Sequence, residues 1–104
     1  MQSDFQVVAE AENGEEAVEQ TQELRPDLVI LDISMPFLDG LSAARQIRKF
    51  APDMPILLYS MHKIREFVDV AKRMGLNGFV GKDDSPNLLK AVDAVLHHQS
   101  FFPA

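Results

Sequence analysis

The sequence predicts an open, parallel α/β sheet of four strands and four helices, folded as one domain over residues 1–104. Three observations predict it. Short apolar runs alternate with longer segments whose apolar residues recur at helical spacing, in the order β-α-β-α-β-α-β-α. The runs at 28–31 and 55–60 are apolar without polar alternation, the mark of strands covered on both faces. Pro, Gly or Asn punctuates most of the junctions between them. This alternation implies right-handed crossovers between parallel strands.

The elements follow in order. Residues 5–11 read as a short, mixed first strand. Asn13-Gly14 is a turn, with Asn13 suited to cap a helix over 15–24. Ala17, Val18, Thr21 and Leu24 form the inner face of that helix. Glu15 and Glu16 suit its positive N-terminus. Pro26-Asp27 stops it, and the run Leu28-Val29-Ile30-Leu31 ends in Asp32. Pro36 and Asp39-Gly40 mark the next turn. A second helix spans 41–50, with Leu41, Ala44 and Ile47 inside, Arg45, Arg48 and Lys49 outside, and Pro52 as its stop. The strand at 55–60 ends in Ser60. A third helix over 62–74 buries Ile64, Phe67, Val68, Ala71 and Met74, and Gly75 ends it. A strand at 77–82 ends in Lys82. Ser85-Pro86 is an N-cap with proline at the first helical position. The last helix, 86–98, buries Leu88, Leu89, Val92, Val95 and Leu96, and residues 100–104 form a tail.

Composition narrows the function classes. The net charge is −6 and the pI about 4.9, which argues against a nucleic-acid or anionic-membrane surface on this chain. No cysteine is present, so disulfide and thiol chemistry are excluded. No apolar run reaches membrane-spanning length and no leader opens the sequence, which makes a cytoplasmic, non-membrane protein the expectation.

Three consecutive apolar strands end in Asp32, Ser60 and Lys82. Open α/β sheets place their chemistry at the carboxyl ends of strands. A carboxylate there can be a nucleophile or a metal ligand. An ammonium pairs with a phosphoryl oxygen, and a hydroxyl donates to another. The grouping therefore suits phosphoryl transfer to Asp32. Each residue alone is also what a turn former or a solvated strand end looks like.

With Ala9-Glu10-Ala11-Glu12-Asn13-Gly14-Glu15-Glu16-Ala17, Pro26-Asp27-Leu28-Val29-Ile30-Leu31-Asp32-Ile33-Ser34-Met35-Pro36, Asp39-Gly40 and Gly78-Phe79-Val80-Gly81-Lys82-Asp83, the chain resembles the receiver domain of two-component response regulators. The likeness is greatest to the NarL/FixJ type and runs from Phe5 to Phe102. It implies a flavodoxin-like fold and a signalling role rather than an enzyme. Asp32 would accept a phosphoryl group from a sensor histidine kinase, and Lys82 would pair with it. Ser60 would be the switch hydroxyl and Phe79 the aromatic switch. Asp32 and the Ser34 backbone carbonyl would hold Mg2+. The surface formed by the third helix, the Phe79 strand and the last helix would then change partners. DNA would be reached only through an output domain that this sequence does not contain.

The chain departs from that family at its start. The family opens with a strand ending in paired acidic residues, then a helix, and neither is present here, so the reading is a receiver missing its first β-α unit. Mg2+ favours octahedral oxygen ligation from several groups, and Asp32 with one carbonyl is a poor site. Without the ion, charge on the transferring phosphoryl group loses its main stabiliser, so phosphorylation is expected to be poor. Lys82 is then free to pair directly with Asp32. The lost strand leaves two outcomes: the first strand closes up beside the Asp32 strand, or a second copy fills the gap. A homodimer is the expectation. Two other functions stay open: a receiver-like interaction module that is never phosphorylated, and an aspartyl-phosphate phosphatase. The latter normally wants a second Asp where Ser34 stands. His62, the His97-His98 pair and the methionines read as surface or core residues, and the basic side chains as ordinary exposed charges.

Overall fold

The computed structural model describes residues 7–8, 13–32, 40–60 and 65–102. The strands are β1 (Val7–Val8), β2 (Leu28–Leu31), β3 (Ile56–Ser60) and β4 (Gly78–Gly81). The helices are α1 (Gly14–Leu24), α2 (Gly40–Phe50), α3 (Arg65–Arg73) and α4 (Leu88–Leu96). The strands form one parallel sheet in the order β1-β2-β3-β4. β1 pairs directly with β2, Val7 opposite Leu28 and Val8 opposite Val29. The sheet is continuous there, so of the two outcomes direct closure is the one observed. The rest of the expected first strand, and the expected start of α3 at His62, lie outside the described residues.

Successive strands step in one direction, so their connecting helices fall on one face. Val29, Leu31, Ile56, Leu58 and Phe79 point to that face and pack with Ala17 of α1, Ala43, Ala44 and Ile47 of α2, and Val68 and Ala71 of α3. The alternate residues Leu28, Leu57 and Val80 point to the other face and meet Ala91 and Val95 of α4. Only α4 among the described helices covers that second core, and Ile30 and Tyr59 are half-buried at its margin.

Local signals explain most boundaries. The Asn13 side chain accepts from the Glu16 N–H at 2.8 Å, the expected N-cap. The first helix ends at Leu24, two residues before Pro26. Proline disfavours the α conformation in its predecessor, and Arg25 turns left-handed at φ 47°, its N–H bonding Thr21 O at 3.0 Å. Gly75, at φ 75°, follows α3 where a stop was expected.

Four expectations need correction. The last helix does not start at Pro86: Lys82–Asn87 is a 3-10 segment containing Pro86, and Asn87 precedes the α-helix. Proline's fixed φ suits the tighter turn, which carries the chain from the strand end to the helix. Leu89 is 79% exposed, because Leu88 and Leu89 differ by about 100° around a helix and cannot both face the sheet; Ala91 takes the inner place. Leu24, in the last turn of α1, is 53% exposed. Residues 100–102 are not a loose tail. Phe101 bridges to Gly78 in parallel fashion and adds a strand position outside β4.

Candidate functional site

The carboxyl ends of β2, β3 and β4 meet at one edge of the sheet, as parallel pairing requires. Leu31 stands opposite Leu58, and Ser60 opposite Gly81. Asp32 and Lys82 each come one residue after the end of their strand. The alternation that sends Leu28 and Ile30 to the α4 face sends Asp32 the same way, and Lys82 follows Val80. Their side chains therefore converge. Lys82 Nζ donates to Asp32 Oδ2 at 2.5 Å, an ion pair joining positions 50 residues apart in sequence. The pair is neither sealed nor free in water: the side chains are 35% exposed at Lys82 and 28% at Asp32. The ammonium also lies 5.7 Å from the centre of the Tyr59 ring, within cation–π range.

Ser60 closes β3 at the same sheet end and is buried. It shares the alternation of Leu58, so its Cβ belongs to the three-helix face. Phe79 lies on that face too, fully buried in the larger core. The structure thus brings Asp32 and Lys82 into contact, places Ser60 at the same carboxyl edge of the sheet, and buries Phe79 in the larger core. Ser34 and the turn at 33–39 lie outside the described residues.

Two residues escaped the sequence reading. Tyr59 adjoins the lysine; the signal was its place one step inside the end of β3, level with Asp32 in register. Arg48, expected among exposed charges, is half-buried at the far end of the sheet. Its Nη1 donates to Pro52 O at 2.7 Å and Met54 O at 2.6 Å, and its Nη2 to Gly75 O at 2.8 Å and Asn77 Oδ1 at 2.9 Å. Asn77 Oδ1 also accepts from the Ile56 N–H at 2.9 Å, and the Asn77 N–H donates to Ile56 O at 2.9 Å. Burial holds the Arg48 pKa below its ordinary value, with Asp53 acting in the opposite sense. A guanidinium nonetheless stays charged across the working pH range.

Receiver domains generally bind Mg2+ at their phosphorylation site. Among the described residues the donor set around Asp32 fits the ion poorly. Among the described residues no group of three or more His, Asp or Glu side chains could hold a metal. One oxygen of Asp32 is already taken by an ammonium.

Residues 1–93 match the response regulator receiver domain. The chain is 35% identical over 96 residues to the transcriptional regulatory protein DegU of Brevibacillus brevis, covering 91% of this chain and 41% of DegU. It is 45% identical over 80 residues to the chemotaxis protein CheY of Listeria monocytogenes, covering 77% of this chain and 67% of CheY. A crystal structure of a LuxR-family two-component response regulator from Aurantimonas sp. SI85-9A1 superposes with a TM-score of 0.84 at 34% identity, over 90% of this chain and 68% of that one. The chain thus spans less than half the length of DegU and about two thirds of CheY.

Proposed function

This chain belongs to the response regulator receiver domain family, and on that premise we propose that it takes a phosphoryl group from a sensor histidine kinase onto Asp32. Receiver domains are signalling modules, and the role proposed for this one is to change a binding surface. The supporting observation is the Asp32–Lys82 ion pair at the carboxyl edge of the sheet. A carboxylate oxygen of Asp32 would attack phosphorus as the phosphorus–nitrogen bond of the kinase's phosphohistidine breaks and the imidazole leaves. Lys82 would then move from the carboxylate oxygen to a phosphoryl oxygen, as a point charge that follows the negative charge. Ser60 would donate its hydroxyl to the phosphoryl group, and Phe79, on the same face as Ser60, would respond to that displacement. The α3–β4–α4 surface would carry the change to a partner.

Transfer is expected to be slow. Asp32 is engaged by an ammonium and, among the described residues, no ready-made metal cluster surrounds it, so among those residues the charge of the transferring group has Lys82 as its local counterpart. Homodimerisation and a cytoplasmic site of action belong to the same reading. No helix among the described residues is long and apolar enough to cross a membrane. DNA contact, where it occurs, is assigned to a separate output domain, as the transcriptional role of DegU suggests.

Incubation with acetyl phosphate and Mg2+, followed by intact mass, tests the proposal. Slow addition of one phosphoryl group, absent in Asp32→Asn, is expected. Labelling that survives Asp32→Asn contradicts it. A second reading has one observation in its favour: the ion pair is complete without phosphate, as in an interaction module that is never phosphorylated. Beryllofluoride separates the two. Shifts at the signals of Asp32, Ser60 and Lys82 that extend to Phe79 and the α3–β4–α4 surface support the acceptor, and an unchanged spectrum supports the module.

A further inference from the structure

The outer edge of β4 carries a segment that need not come from the same molecule. Phe101 N–H donates to Asn77 O at 3.0 Å, and Phe79 N–H donates to Phe101 O at 2.9 Å. These bonds make Phe101 a parallel partner of Gly78. The close approach depends on the glycine. A Cβ on Gly78 would lie 2.7 Å from Phe101 O and 2.6 Å from Leu57 Cδ1. The two aromatic rings then part, as strand neighbours do. Phe101 packs into the core under α4, and Phe102 against the larger core, where Lys72 Nζ sits 5.3 Å from its ring centre. The segment is a miniature fifth strand anchored in both layers.

Its tether is short and bent. α4 ends at Leu96, and His97 to Ser100 bring the chain back to the sheet. His98 makes the corner at φ 63°, a left-handed conformation that a residue with a Cβ adopts at a cost. The Gln99 N–H bonds Ala94 O at 2.9 Å to hold the fold-back, but this stretch is exposed and water can replace that bond. Short hinges under strain invite the exchange of the element they carry.

We infer that the β4 edge is an exchange site for a second copy of this chain, in which residues 100–102 of one copy seat against Asn77, Gly78 and Phe79 of the other. Every bond and ring contact of the segment is kept in the exchanged dimer, because donor and acceptor sequences are identical. Only the hinge changes, and it loses the bend at His98. The covered edge belongs to the surface assigned above to partner exchange. The inference gives a geometry to the homodimer already proposed and rests on that part of the reading alone.

Concentrated protein, warmed and then cooled to allow exchange, is examined by light scattering and by isotope-filtered NMR on a mixture of labelled and unlabelled copies. A dimer with intercopy NOEs between Phe101 and Gly78 or Phe79 is expected. His98→Gly, which accommodates the left-handed bend without strain, should lower the dimer association constant by about fivefold per hinge. A dimer showing only intracopy NOEs overturns the exchange and leaves the homodimer standing. A monomer at every concentration overturns both. Neither result touches phosphorylation of Asp32, which acetyl phosphate reads separately.

Discussion

The two ends of the sheet are fastened in opposite ways. At the carboxyl end, the fastening among the described residues includes an ion pair between two flexible side chains about one third exposed. At the amino end, one guanidinium holds four acceptors drawn from the loop after α2, the turn after α3 and the start of β4. A planar fork with fixed donors is a rigid connector; an ammonium on a four-carbon stem is a movable one. The comparison teaches that α3 is pinned at its C-terminal end, while its other end is nearer the site where charge would change. A helix held at one end can tilt, and that is the motion a switching surface needs.

The largest effect should come from the pinned end. Arg48→Ala leaves carbonyls of Met54 and Gly75 without their charged donor and should lower stability by about 2–4 kcal/mol, read as a fall in the urea midpoint. Arg48→Lys should recover less than half of that loss, since an ammonium cannot span the same fork. A fully rescued lysine variant would mean that charge, not geometry, makes the clamp. Asn77→Ala should come next, at about 1–2 kcal/mol, because its Oδ1 serves both Arg48 and the Ile56 N–H. Asn77→Asp keeps the acceptor and should lie close to the parent.

At the movable end the expected stability change is smaller. Lys82→Met should shift stability by no more than about 1 kcal/mol, as partly exposed ion pairs do. Its labelling by acetyl phosphate should nevertheless fall at least tenfold. A Lys82→Met loss as large as that of Arg48→Ala would erase the contrast between the ends. The smallest effect belongs to Leu89→Gln on the exposed side of α4, within about 0.5 kcal/mol by the same denaturation.

Most of the architecture was legible because strand and helix periods were clean. The runs ending in Asp32 and Lys82 named their own positions, and parallel pairing did the rest. What stayed hidden has a common physical cause. The Arg48 fork draws on main-chain carbonyls of Pro52, Met54 and Gly75, and carbonyls leave no trace in a sequence. Leu24 and Leu89 each fitted an apolar tally, but neither faces the core. Pro86 marks a helical first turn in general, and only the geometry after Lys82 shows a 3-10 segment there. The Phe101 bridge depends on a long-range return that neither Gly78 nor the aromatic pair announces alone.

Tyr59 gives the site a window. The chain has one tyrosine and no tryptophan, so its tyrosine emission arises from a single ring, 5.7 Å from the Lys82 ammonium. Any event that draws that cation away alters the field at this ring. The molecule thereby carries its own optical gauge of the state of its acid–amine couple, with no dye attached.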